Sequence, residues 1–202
     1  MEPDYFAIRR FRAEVPLRPF WFPTTTDRDG WIASRVKHAS SILEVGAGER
    51  PFVLHLPGFA GTFRTMDVSP LVSVDYRSLD GIEERFDAVV MREVIEHLPR
   101  PLFYDYLDRI TGALLKPDGV LAITTPNPWC PPWFLGDYTH VSHWPPADLY
   151  GLLRYYGFGK VEIARIIWPS RLLFLKRLYW AMHSRFYDLD FAGSYIAFAS
   201  RR

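Results

Sequence analysis

The run Ser41-Ile42-Leu43-Glu44-Val45 passes straight into Gly46-Ala47-Gly48, and no other junction constrains the fold of this chain as strongly. A short, nearly all-apolar run suits a strand covered on both faces, as in a parallel sheet. Glycines directly after it let the backbone turn sharply and approach a ligand closely, where a Cβ would obstruct. The pattern recurs along the chain. Further strands are predicted at Thr62–Val68, Ser73–Leu79, Phe86–Met91, Gly119–Thr125, Lys160–Trp168 and Ser194–Ser200. Leu102–Leu115 carries apolar residues at helical spacing, and Lys116-Pro117-Asp118-Gly119 turns the chain after it. Pro146–Tyr156 reads as another helix, closed by Gly157, and one more is expected near Trp31–Lys37. Strands alternating with helices predict an α/β sandwich around a mostly parallel sheet.

Two nucleotide readings compete for the glycine turn. A dinucleotide fingerprint, Gly-x-Gly-x-x-Gly, wants glycine where Pro51 stands. Proline adds bulk there and has no N–H, which counts against a nicotinamide oxidoreductase. Ile42-Leu43-Glu44-Val45-Gly46-Ala47-Gly48 instead resembles the glycine loop of class I S-adenosylmethionine (SAM)-dependent methyltransferases of the small-molecule type. Further pieces resemble that family in the right order: Asp67, 21 residues after Gly46; Phe86–Val90 followed by Glu93–Leu98; Leu114–Gly119; and Asp137–Val141 followed by Leu152–Phe158. The resemblance implies one Rossmann-like domain over residues 1–202, with a seven-stranded sheet, helices on both faces and an antiparallel last strand. Residues 1–38 would form an N-terminal cap segment, 40–125 the SAM-binding core, 126–144 an active-site loop and 169–193 an insertion or lid. The usual helix between the second and third strands is missing or reduced to a turn, because Asp67 to Asp87 leaves no room for it.

The same resemblance implies the cofactor contacts. SAM, and its product S-adenosylhomocysteine, would lie along Glu44, Gly46, Ala47 and Gly48. Asp67, with Val68 beside it, would accept the ribose hydroxyls, since a carboxylate can accept from both. Asp80, with Leu79 and Gly81, would meet the adenine amino group, and Asp75 is an alternative for that role. Met91 and Arg92 would lie near the sulfonium. Glu96-His97 is read as stabilising a helix start.

For the methyl acceptor, the segment after the fifth strand offers aromatic walls stiffened by prolines: Trp129, Trp133, Tyr138 and Trp144, with His143 among them. His140 is the candidate base, held by Asp137, because histidine takes up protons near neutral pH. No metal is expected, since no third ligand clusters with His140 and His143. Asp-x-Thr-His-Val resembles methyltransferases found with sugar and polysaccharide assembly. The acceptor is therefore expected to be a hydroxyl of a sugar, glycolipid or natural product. A non-catalytic scaffold of the same fold is the rival reading.

Partners and compartment follow from charge and from absences. Lys and Arg number 24 against 23 Asp and Glu, a balance unlike that of a general nucleic-acid binder. Base-modifying relatives often carry an Asn-Pro-Pro-Tyr-type tetrad where Met91-Arg92-Glu93-Val94 stands, so no nucleic-acid partner is expected. Cys130 is the sole cysteine, which excludes an internal disulfide and fits a reducing compartment. The acidic start Met1-Glu2-Pro3-Asp4 is unlike a signal peptide, and no apolar run is long enough to span a bilayer, so a cytoplasmic protein is expected. In Pro169–Gly193 the cations Arg171, Lys176, Arg177 and Arg185 do not gather on one helical face, which suits a lid or a homodimer contact. Membrane contact or a lipid-linked substrate stays open there. Phe20-Trp21-Phe22-Pro23 would close over the cofactor or staple the helix that follows.

Overall fold

The computed structural model describes residues 2–17, 21–168 and 189–201, and between the last two stretches residues 175, 178, 179, 182, 186 and 187. Phe20 and nearly all of the segment before the last strand lie outside the described residues, and with them the lid, dimer-contact and membrane readings of 169–193.

Seven strands form one sheet: β1 (Thr24–Thr25), β2 (Ser41–Val45), β3 (Thr62–Met66), β4 (Phe86–Arg92), β5 (Leu115–Pro126), β6 (Lys160–Ile166) and β7 (Ser194–Ser200), in the order β1-β6-β7-β5-β4-β2-β3. β3, β2, β4 and β5 are mutually parallel, and β7 runs antiparallel to both β5 and β6. After β3 the chain crosses back over β2 to reach β4. That reversal opens a crevice beyond the carboxyl ends of β2 and β4, where ligands of open α/β sheets bind. Gly46 follows one of those ends and Glu93 the other.

Helices α1 (Tyr5–Arg12), α2 (Arg28–Val36), α3 (Arg100–Arg109), α4 (Pro131–Leu135) and α5 (Pro146–Tyr155) surround the sheet. Asp4 caps α1 by accepting from the Phe6 amide, and Asp27 caps α2 by accepting from the Gly30 amide. One face of the sheet gathers Leu43, Val45, Val89 and Met91 with Phe103 and Leu107 of α3 and Leu149 and Leu153 of α5. The other gathers Ile42, Ala88 and Val90 with Ile32 and Val36 of α2 and with Phe52. Alternate residues of β2 and β4 thus enter opposite layers, which is why both strands read as continuous apolar runs. Truncating a fully buried Phe103 to alanine would cost about 3–5 kcal/mol.

Three expectations need correction. Ser73–Leu79 is not a strand, and only a bridge between Met66 and Tyr76 remains. Its polar side chains bond backbone instead of leaving it to a ladder. Asp75 accepts from the Thr65 amide (2.7 Å) and hydroxyl (2.8 Å), and Arg77 donates to the carbonyls of Ser69 and Val72. As expected, the family's usual helix between β3 and this stretch is reduced to a turn. The seventh strand is β1, from the N-terminal cap segment, paired in parallel with Arg165 and Ile166. Finally, β5 begins at Leu115. Lys116–Gly119 bulges out of it between the Phe86–Leu115 and Ala88–Val120 pairs.

Candidate active site

At the β2 end of the crevice, Gly46 and Gly48 adopt φ of +73° and +56°, a region that side chains disfavour. A Cβ on Gly46 would stand 2.4 Å from Val94 Cγ2, so this glycine lets the turn close against the segment after β4. At Gly48 the same position faces open space. Asp67 accepts from the Gly48 amide (3.0 Å) and the Ser69 amide (2.8 Å). Two amides leave roughly half of a carboxylate's acceptor capacity free. The Tyr106 phenol is raised, first by burial and then by the negative charges of Asp80 and Asp67, so both carboxylates surround one ring. Arg109 of α3 fixes the Leu79–Ile82 stretch by donating to the carbonyls of Leu79, Asp80 and Ile82.

Between the two strand ends runs a chain of alternating charges. Glu44 is fully buried and accepts from the Phe52 amide (2.6 Å) and from Arg92 Nε (2.9 Å). Burial raises its carboxyl despite the opposing pull of Arg92. Arg92 also reaches Asp29 (3.3 Å) and the Arg50 carbonyl (2.6 Å). Asp29 pairs with Arg28 (3.1 Å), and Arg28 stands 3.8 Å from Glu93. Burial works against the Asp29 charge, but Arg28 and Arg92 outweigh it and hold the carboxyl below its usual range.

At the β4 end lies a cavity of about 760 Å³, lined by Glu93, Glu96, His97, Trp133, His140 and Trp168 among others. Trp133 and Trp168 stack with ring centres 5.6 Å apart. Glu93 holds a φ of 52°, unusual for a residue with a side chain and of a kind that collects at functional sites. The loop over the cavity is pinned through Glu96, whose carbonyl accepts from the amides of Val141 (2.8 Å) and Ser142 (3.0 Å). His140 is thereby set beside His97, with ring centres 4.9 Å apart. The Phe134 carbonyl, 2.8 Å from His140 Nδ1, can only accept, so Nδ1 carries the hydrogen and Nε2 keeps its lone pair. Thr125 donates its hydroxyl to Glu96 Oε2 (3.0 Å), while Oε1 of Glu96 and Oε1 of Glu93 have no hydrogen-bond donor among the described residues. Both carboxyls are raised, chiefly by burial, and that of Glu96 also by the charge of Glu93.

The profile of a methyltransferase domain family matches residues 12–163. The chain belongs to that family. The solved structures it resembles include a SAM-dependent methyltransferase from Archaeoglobus fulgidus, at 16% identity and a TM-score of 0.64, covering 98% of this chain and 100% of that one. The N-methyltransferase NodS from Bradyrhizobium japonicum, in complex with S-adenosylhomocysteine, matches at 16% identity and 0.57, covering 98% of each chain. A toxoflavin-type N1-methyltransferase from Burkholderia thailandensis matches at 18% and 0.56, covering 86% of this chain and 78% of that one. No curated protein matches the chain. The protein is a methyltransferase, and it has the Rossmann-like fold of solved SAM-dependent methyltransferases. Among the described residues, no helix is long and apolar enough to cross a membrane.

The methyltransferase distributes the residues singled out in its sequence unevenly. Gly46, Ala47, Gly48 and Asp67 meet at the crevice, and Val68 is exposed beside them. Met91 and Leu79, expected at the cofactor, have their side chains in the core, Met91 because the odd positions of β4 face α3. Glu44 and Arg92 are committed to each other, and Asp75 to Thr65. Trp133 and His140 line the cavity. Trp144, expected in the acceptor pocket, packs on Phe103 (5.0 Å) and Tyr104 and donates to the Ile95 carbonyl. His143 lines a separate hollow against α1, Tyr138 is almost fully exposed, and Trp129 is tied to Asn127 and Asp190. Asp137 stands 3.8 Å from His140 Nε2 and spends its shorter contacts on Thr139. Glu96 does not cap α3, which starts at Arg100 after Pro99 with no side-chain cap. Sequence reading passed over Glu93 and Glu96 as cavity residues. Their i, i+3 spacing directly after an apolar strand was the available signal.

Proposed function

We propose that the enzyme methylates a hydroxyl of a small-molecule acceptor, such as a sugar, glycolipid or natural product, held in the cavity beyond β4. The observation that carries this reading is the lone pair of His140 Nε2, fixed toward a cavity walled by the Trp133–Trp168 stack. SAM supplies an electrophilic methyl group on a sulfonium, which an oxygen displaces in line. The protein's part is alignment and exclusion of water. In this reading Asp67 accepts the ribose hydroxyls, Gly46–Gly48 passes along the methionine portion, and Asp80 lies toward the adenine beside Tyr106. His140 draws the proton from the acceptor hydroxyl as the new oxygen–carbon bond forms.

A thermal melt tests the cofactor half. S-adenosylhomocysteine at 100 times its Kd adds about 2.7 kcal/mol, a rise of roughly 5–10 °C for a chain of this size. Asp67→Ala is expected to weaken that binding on the order of 10–150-fold, the loss of charged hydrogen bonds. Transfer of labelled methyl to a panel of sugars and phenols tests the acceptor half. Labelling of amines alone would overturn the hydroxyl assignment.

A further inference from the structure

We infer that Glu96, His97 and His140, with Glu93 at their border, form a binding site for one divalent transition-metal ion. Donor atoms of the first three lie within 4.8 Å of one another. Neighbouring donors on one ion with bonds of about 2.0–2.2 Å stand about 3–3.5 Å apart, so side-chain shifts on the order of 1 Å bring all three onto one ion. The second observation is independent of that spacing. Glu96 is fully buried, and among the described residues its Oε1 has no donor except the Glu93 carboxyl, which can supply one only when one of the two acids holds a proton. Glu93 Oε1 is likewise without a hydrogen-bond donor, with Arg28 no nearer than 3.8 Å. Buried carboxylate oxygens ordinarily have partners, and a cation supplies what is missing here. The third observation concerns the imidazoles. His140 Nδ1 faces the Phe134 carbonyl (2.8 Å), and His97 Nδ1 faces the Thr139 carbonyl (3.3 Å) and hydroxyl (3.0 Å). The Thr139 hydroxyl itself donates to Asp137 (2.6 Å), so it accepts from His97. Both rings therefore carry hydrogen on Nδ1 and present Nε2. Anchoring of this kind orients metal-ligating histidines.

Two imidazoles with one or two carboxylates suit zinc, manganese, cobalt or iron better than calcium. The site rests on these contacts and not on the acceptor reading. Its use in methyl transfer does rest on that reading: with the ion bound, His140 Nε2 is a ligand and not the base, and an acceptor hydroxyl acidified by the ion releases its proton to water as the oxygen takes the methyl group.

The test is titration of the chelator-stripped full chain with Co²⁺, followed by visible absorption. Saturation at one equivalent is expected, with at least a tenfold weaker affinity in His97→Ala and in the isosteric Glu96→Gln, and no change in His38→Ala, an exposed histidine elsewhere. Circular dichroism and the S-adenosylhomocysteine melt report whether each variant is folded. Failure of folded wild type to saturate below millimolar Co²⁺ overturns the site. So does equal affinity in all variants, the result expected if Glu93 and Glu96 merely share a proton. A failed Co²⁺ titration alongside an intact melt removes the ion alone and leaves the methyltransferase reading standing.

Discussion

Asp190 and Glu96 are both buried carboxylates, and their surroundings differ in one respect. Asp190 has donors on both oxygens, one of them a cation: Oδ1 takes Arg165 Nη1 (2.8 Å) and the Phe191 amide (2.8 Å), and Oδ2 takes Asn127 Nδ2 (2.9 Å). Arg165 in turn donates to the Phe22 carbonyl (3.1 Å). Among the described residues Glu96 has one hydroxyl donor, no cationic side chain paired with it, and another carboxylate nearby. A buried charge with a full set of partners is part of the scaffold, and breaking it costs stability. A buried charge left short of partners costs stability as it stands, and persists where function requires it. The first knot fastens the ends of β5, β6 and β7 together. The second faces a cavity.

The largest expected effect follows from Asp190→Asn, which keeps the shape and removes the charge. It leaves Arg165 buried without its counter-ion and should cost about 3–5 kcal/mol. For about 200 residues that lowers the melting temperature by roughly 6–20 °C. The parallel change Glu96→Gln, measured in chelator, is expected to move stability by less than about 1 kcal/mol, because the raised carboxyl largely keeps its proton near neutral pH and the amide replaces one neutral group by another. Chemical denaturation of both variants checks the contrast. Equal losses at the two positions would break it.

Most of the sheet was legible because its determinants are local. β2 and β4 are contiguous apolar runs, and the glycine turn carries its own conformational requirement in Gly46 and Gly48. Where sequence reading failed, distance or brevity was the cause. Thr24–Thr25 is too short to show a pattern. Ser73–Leu79 shows alternation, but Asp75 and Arg77 divert the backbone bonding around it. The Glu96–His97–His140 cluster joins residues more than forty positions apart, through amides of Val141 and Ser142 that any residue but proline would supply. No local sequence pattern announces such a contact. Asp190 was equally silent, since nothing near it in sequence points to Arg165.

A third carboxylate separates the influence of donors from that of burial. Asp87 accepts from the Ser40 amide (3.0 Å), the Ser41 amide and hydroxyl (both 2.9 Å) and Lys116 Nζ (2.9 Å), yet remains half-exposed. Burial pushes its carboxyl up, but Lys116, Ser41 and Ser40 pull harder, and the net position is below the ordinary value. An acid lowered in the folded state contributes stability that is fully present above its unfolded value, near 3.9, and is lost as pH falls through the folded value. Between pH 6 and pH 3 the wild type should therefore lose stability faster than Asp87→Asn does, as urea midpoints at the two pH values would show. The variant itself should cost no more than about 1 kcal/mol at pH 6, because water screens a half-exposed pair. If Asp87→Asn instead matched the loss at Asp190, the number of donors alone would set the cost, and burial would cease to distinguish the two. If the two acid slopes coincided, the donors around Asp87 would be contributing nothing that water does not replace.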